Sequence, residues 1–326
     1  MLRFLVGIAI GSEWATGASM VAEMWPDRAR GKAVALMQAG FGIGFFLASF
    51  TWLFVGSFGP DAWRYMFLIG IFPALLTYWI RTSISESGLW QRSAARREAA
   101  LQRRRQRMAL SADDRSLLRF TIADLFAQPE SRRRAIAVFL MSLATTLAWW
   151  GISTWIPPYI ATTAGGFGLP PQQWATFGAM AFNLGGLLGL AGFGFLADRL
   201  GRKTITMTFF AFAFVLTLAL FLWTEQPALL LLIATVNGFF CMGQFAWIPV
   251  WVPELFPTHL RATAMAFTFN APRFIAFLGP LLGGMLIAAF GGYGRVASIV
   301  SCIYILGFAV TWLLPETIGK SLPDQA

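Results

Sequence analysis

The sequence predicts an all-α polytopic membrane protein, and three observations carry that prediction. Hydrophobic residues make up 57% of the 326, and charged residues only 12%. Apolar runs of about 20 residues or more, the length that crosses a bilayer, recur along the whole chain. Basic residues gather on alternate connections between those runs. The 32 glycines fit the same picture, because small residues let membrane helices approach closely. A soluble protein with an unusually apolar core is the alternative, but it would show one or two short runs of this kind.

Nine candidate spans follow in order: 2–25, 32–57, 63–82, 134–161, 173–197, 203–223, 227–251, 262–290 and 294–314. Most exceed the minimum length, which predicts tilt or extension into the interface. Pro249, Pro253, Pro272 and Pro280 sit in or near late spans. Helices of a channel or carrier tolerate such breaks where neighbours re-satisfy the backbone. The stretch 83–133 is the one sizeable soluble piece. Its segment RSAARREAALQRRRQRMAL is built from Ala, Arg, Leu and Glu, all good helix formers, and predicts a cytoplasmic or interfacial helix.

Of 25 Lys and Arg, 21 fall on one side of this topology or at its edges. The positive-inside rule places that side, including 83–133 and the C-terminus, in the cytoplasm of a cell with the chain in its inner membrane. The net charge of +10 is therefore an orientation signal, and nucleic acid is not an expected partner. Cys241 and Cys302 lie inside apolar runs and read as small hydrophobes. His259, the one histidine, has no Cys or paired carboxylate beside it, so no metal is expected. No catalytic constellation and no Gly-Lys-Ser/Thr phosphate loop is visible, which argues against an enzyme and against ATP as energy source. No cofactor is expected.

One pattern occurs twice. AEMWPDRARGKA carries Glu23, Pro26 and Arg30, and PELFPTHLRATA carries Glu254, Pro257 and Arg261. The offset is 231 residues for each pair, and it also matches Gly7 with Gly238 and Glu13 with Gln244. Fixed-offset similarity indicates a duplicated architecture, and carriers built from two halves bind substrate between them. Taken at face value, the offset places the start of the first half about 98 residues before Met1. The expectation is nine spans out of twelve. Residues 1–82 would be the last three helices of the N-terminal half, 83–133 a basic linker, and 134–326 the six-helix C-terminal half with a cytoplasmic tail.

The chain resembles the major facilitator superfamily. RFLVGIAIGSEW (residues 3–14), with Arg3, Gly7 and Gly11, resembles the superfamily's fourth-helix signature. GFLADRLGRK (residues 194–203) is similar to its loop between helices eight and nine, and PETIGKSL (residues 315–322) to the ending of sugar-porter relatives. GSEWATGASMVAEMWPDRARGKA looks most like bacterial proton symporters for carboxylates of the sialate, lactate and aromatic-acid type. The resemblance implies a two-half helical bundle and proton-coupled secondary transport by alternating access. It also implies a proton-transfer role for Arg3. The partners are then a small-molecule substrate, protons and the lipid bilayer, with the chain acting as a monomer.

Glu13 is the one acidic residue deep in a span, and burial there favours proton binding near neutral pH. Arg273 is the one basic residue deep in a span, with Asn270 one turn earlier on the same face. A guanidinium offers a planar fork that matches a carboxylate, so Arg273 and Asn270 are the expected substrate anchors. The alternative is a structural ion pair, with Glu13 as the partner. Gln38, Asn183, Gln244 and Trp150 are further cavity candidates, although polar residues inside bundles more often join helices. A cytoplasmic gate is expected from Glu23, Arg30, Asp198, Arg199, Arg202, Glu254 and Arg261. Two other functions compete: a sugar or neutral-metabolite porter, and an inactive truncated carrier or membrane sensor.

Overall fold

A computed structural model describes residues 27–83, 88–111, 114 and 121–319, with Trp14, Gly17, Met20, Val21 and Trp25 ahead of them. Every regular element among the described residues is helical. Six segments are long and apolar enough to cross a membrane: Lys32–Phe58, Pro129–Gly166, Pro171–Leu200, Arg202–Trp223, Pro227–Leu255 and Tyr293–Thr311.

Helix α1 (Asp27–Val55) is unbroken over 29 residues. The next expected span is interrupted at Gly70, giving α2 (Ala62–Ile69) and α3 (Phe72–Ser83). Their large apolar side chains face outward, Phe67 and Tyr78 each at 73% exposure, as a lipid-facing surface requires. The basic connector forms α4 (Gly88–Arg105), with Arg103, Arg104 and Arg105 in the last turn, where the helix dipole favours positive charge. Arg107 takes positive φ (56°) and lets Met108 N–H bond back to the Arg103 carbonyl, closing the helix end. Arg103 then pairs with buried Asp114 at 2.8 Å, and its guanidinium holds that carboxyl below its ordinary range.

After the short α5 (Thr121–Ala127) the chain runs through α6 (Pro129–Ser153) and α7 (Ile156–Gly166). Pro129 opens α6 at the one turn where a missing N–H costs nothing. Helix α8 (Pro171–Leu200) packs directly on α10 (Pro227–Gly243). Glycine makes that contact possible. A Cβ at Gly185 would lie 1.7 Å from the Thr235 carbonyl oxygen, and one at Gly238 would lie 2.0 Å from the Phe182 oxygen. The two backbones therefore meet without side chains between them.

Helix α9 (Arg202–Leu218) ends in a π turn over Ala219–Trp223. The span after it bends through a 3-10 turn, Gln244–Ala246, into α11 (Trp247–Leu255). The expected 262–290 span is split into α12 (Thr258–Asn270), α13 (Arg273–Ala276) and α14 (Leu278–Phe290). Pro272 interrupts it because proline cannot donate the helical hydrogen bond. Helices α15 (Tyr293–Ser301) and α16 (Ile303–Thr311) complete the bundle.

Helices α1 and α8, far apart in sequence, pack against each other. Asn183 on α8 donates to Ser49 Oγ at 3.0 Å and to the Phe45 carbonyl at 3.3 Å. Gly42 on α1 lies against Leu187, whose Cα would be 2.8 Å from an added Cβ. At one end of the bundle Lys32, Arg134, Arg202 and Lys203 come together with the ends of α11 and α16. A cavity of about 520 Å³ occupies the opposite end, walled by Ser49 and Trp52 of α1 and by Gln172 and Thr176 of α8.

Candidate functional site

The first cluster lies in mid-bundle, where α12 breaks before α13. Asn270 closes α12 and Arg273 opens α13, three residues apart and therefore on one face. Arg273 Nη1 donates to Asn270 Oδ1 at 2.8 Å. The guanidinium carbon stands 3.8 Å from the ring centroid of Phe269, in cation–π contact. The Trp14 indole stacks on the same ring at 3.7 Å, tilted by 14°. Two planar groups this close to one ring centroid would overlap on a single face, so they cover opposite faces of Phe269. Trp14 Nε1–H donates onward to Gln38 Oε1 on α1 at 2.7 Å. The stack thus runs from α1 through Trp14 and Phe269 to Arg273.

Arg273 is half-buried, and among the described residues no carboxylate ion-pairs with it. A guanidinium in this setting is costly to desolvate without an anion, while its free N–H edges match a carboxylate. Of the sequence-expected substrate residues, the structure brings Gln38, Asn270 and Arg273 into this one chain of contacts.

The others lie elsewhere. Asn183 bonds to Ser49 and Phe45, seven or more residues along α1 from Gln38, or about 10 Å at the helical rise. Gln244 is fully buried. Its Oε1 accepts from Thr145 at 3.3 Å and its Nε2 donates to the Cys241 carbonyl at 3.0 Å. Thr145 also accepts from Trp247 Nε1 at 3.2 Å, so a closed polar cluster ties α6 to the bend between α10 and α11. Trp150 is 41% exposed, with its ring edge-on to Trp149 at 4.5 Å. Trp149 continues to Phe45 and Phe245, both near 5.5 Å.

The second cluster is at the basic end. Gly201 has φ of 94°, a conformation that L side chains avoid, and it turns the chain from α8 into α9. Arg202 follows and presents a fork to Glu254, Nε at 3.0 Å from Oε2 and Nη2 at 3.0 Å from Oε1. Its Nη2 also reaches Asp198 at 3.0 Å, and its Nη1 donates to the Ala197 carbonyl at 3.0 Å. Glu316 caps the start of α9 from the far end of the chain. Its two oxygens accept the backbone N–H groups of Arg202 and Lys203, each at 2.9 Å. Thr317 Oγ1 donates to Glu254, closing the ring of contacts. Burial works to raise the Glu316 carboxyl, but four backbone N–H donors outweigh it and hold the group below the ordinary glutamate range.

Arg261 Nε donates to the Pro253 carbonyl at 3.0 Å, and Arg134 Nη1 to the Leu255 carbonyl at 2.6 Å, so both brace the end of α11. Arg199 is exposed. Arg3, Glu13 and Glu23 lie outside the described residues, as does the side chain of Arg30. Glu316, Thr317, Trp14, Phe269 and Thr145 were not singled out from the sequence. The PETIG ending was noted, and its Glu was a legible signal. Among the described residues no group of three His, Cys, Asp or Glu side chains is placed to hold a metal ion.

A family model, described as sugar (and other) transporter, matches residues 1–326. The chain belongs to the sugar (and other) transporter family. It is 30% identical over 326 residues to a probable 4-methylmuconolactone transporter of Cupriavidus pinatubonensis, covering 99% of this chain and 70% of that protein. It is 28% identical to a putative metabolite transport protein of Haemophilus influenzae, covering 98% and 74%. A sialic acid transporter of Escherichia coli is 26% identical, with 99% and 71% covered. Among solved structures, the major facilitator superfamily proton:xylose symporter XylE superposes with a TM-score of 0.63 at 22% identity, covering 94% of this chain and 68% of that one. The fold is therefore the major facilitator bundle, and this family member is an integral membrane transporter of small molecules rather than an enzyme.

Proposed function

We propose that this transporter carries a small organic anion, a monocarboxylate, sugar acid or aromatic acid, together with protons and by alternating access. The observation that carries the reading is Arg273: a half-buried guanidinium in mid-bundle that pairs with Asn270 and, among the described residues, with no carboxylate. An anionic substrate completes its hydrogen bonding, and Gln38 stands at the other end of the same stack. The acidic cargo named for the sialic acid relative supports an acidic substrate. Glu13, outside the described residues, is the proposed proton carrier, with Arg3, ten positions earlier, proposed to take part in proton transfer.

In this reading the basic end is cytoplasmic, as its concentration of Lys and Arg supports. Residues 1–82 and 134–326 belong to the two moving halves, and 83–133 links them. The Lys32 contact on Phe195 (5.6 Å) spans the two halves and helps to hold the cytoplasmic end shut, while the Arg202–Glu254–Thr317 ring lies within 134–326 and ties together the cytoplasmic end of that half. Breaking the contact between the halves opens the end, a biased two-state equilibrium. The chain acts as a monomer.

The PETIG ending favours a second reading, a porter for sugars or neutral metabolites. Competition in proteoliposomes separates the two. If the anion reading holds, carboxylates inhibit uptake, neutral sugars do not, and Arg273→Lys weakens inhibition by carboxylates. Inhibition by sugars with Arg273→Lys unaltered would establish the second reading instead.

A further inference from the structure

We propose that helix α4 (Gly88–Arg105) lies along the membrane surface and binds the phosphate groups of anionic phospholipids through Arg97, Arg104 and Arg105. This surface is apart from the Arg273 stack and does not depend on what the transporter carries. The helix has one closed side and one open side. Ala100 is fully buried, and Arg103 near it is taken up by Asp114 at 2.8 Å. Arg97, Leu101, Arg104 and Arg105 follow at i, i+4, i+7 and i+8, so they share the neighbouring face. All four are exposed, and among the described residues none of these three arginines ion-pairs with a carboxylate. The helix carries six arginines against one acid, Glu98.

The bundle does not supply the missing anions. Helix α1 leaves the basic end at Lys32, the turn Gly56–Phe58 sends the chain back through α2 and α3, and α6 sets out again from that end with Arg134. Helix α4 is part of this connection, so it shares an end with Lys32, Arg134, Arg202 and Lys203, which repel it. Among the described residues it packs along none of the membrane helices. It starts five positions after the last residue of α3, a reach of at most about 17 Å, which keeps it by the headgroup layer. An anionic bilayer surface answers both halves of the open face. Guanidinium forks match phosphate oxygens. Leu101, 38% exposed between the arginines, enters the acyl boundary while the arginine stems lie along it. A nucleic acid would pair with the same arginines but gives Leu101 no apolar surroundings.

The test uses the full chain in vesicles of phosphatidylcholine, with and without phosphatidylglycerol. The exposed Cys302 is replaced by Ser, and a fluorophore is attached at Leu101→Cys or, on the opposite face, at Gln102→Cys. Lipid carrying a nitroxide high on its acyl chain reports contact by quenching. The label at 101 should be quenched only in vesicles that contain phosphatidylglycerol, and the label at 102 in neither. Raising salt from about 0.1 M to about 1 M shrinks the screening length from about 10 Å to about 3 Å and should release the quenching. Each of Arg97→Gln, Arg104→Gln and Arg105→Gln should lower the ratio of membrane-bound to free helix about fivefold, and the three together should abolish quenching. The corresponding Lys variants keep the charge and should retain it. Quenching at 101 that is absent from both membranes, or equal in both, would overturn the inference, as would equal quenching at 101 and 102. Protection of the 101 label only when a single-stranded oligonucleotide is added would assign the arginines to nucleic acid and overturn it as well.

Discussion

Arg202 and Glu254 meet as a two-pronged pair at the basic end of the bundle, with two nitrogen–oxygen distances of 3.0 Å. The two residues are 52 positions apart and belong to the start of α9 and the end of α11. Lysine at 202 retains the charge and loses the fork. Arg202→Lys should cost about 1–3 kcal/mol, the range for a charge-assisted hydrogen bond at a partly buried site. A lowered melting temperature in detergent micelles reports it, and Arg199→Lys on the exposed neighbour should leave the melting temperature unchanged.

Gly201 sits between that pair and Glu316. With φ at 94°, and Glu316 Oε2 only 2.6 Å from where a Cβ would stand, Gly201→Ala meets strain and a clash together. A loss of about 1–3 kcal/mol is expected from the backbone strain, again read as melting temperature. Gly166→Ala is the control, since nothing lies within 4 Å of its added Cβ.

The Glu316 cap makes stability depend on acid. Its folded pKa is depressed by backbone donors, so its contribution is fully present above the ordinary carboxylate range and is lost as pH falls through the folded value. Melting temperature should therefore fall as pH is lowered from about 7 to about 3, and Glu316→Gln should flatten part of that fall. A Gln variant whose pH profile superimposes on the unmodified one would remove Glu316 from this role.

Gln244 has both ends of its amide engaged by protein groups. Thr145→Val removes the partner of Gln244 Oε1 and of Trp247 Nε1 at once, and each orphaned buried group costs about 1–3 kcal/mol. Stability should drop while the apparent affinity for transported acids stays the same. A change in affinity without loss of stability would place this cluster in the substrate path instead.

The membrane class, the interruption of one late span at Pro272 and the loop that holds Arg202 were legible in the sequence, because each is written in local composition or spacing, whereas Pro253 and Pro280 lie inside unbroken helices. The pairing of Asn270 with Arg273 was legible for the same reason: three residues on a helix share a face. Trp14 and Phe269 were not. They are 255 positions apart, and no periodicity of either helix records that the two rings meet. Glu316 was hidden behind its motif, since a carboxylate capping a helix that begins 114 residues earlier is a tertiary fact. Gln244 illustrates the reverse case. A polar residue in an apolar span signals that something needs it, but not whether that partner is a ligand or, as the hydrogen bonds here indicate, Thr145 and a backbone carbonyl.

The central claim, proton-coupled carriage of an organic anion, is tested most directly by pH change outside lightly buffered proteoliposomes. Addition of a membrane-impermeant sugar acid or muconate should alkalinise the medium as protons enter with the anion, and protein-free liposomes should show no change. Xylose and glucose should give no signal, and Glu13→Gln should abolish the carboxylate response. Alkalinisation driven by the neutral sugars, with none from any carboxylate, would contradict the account.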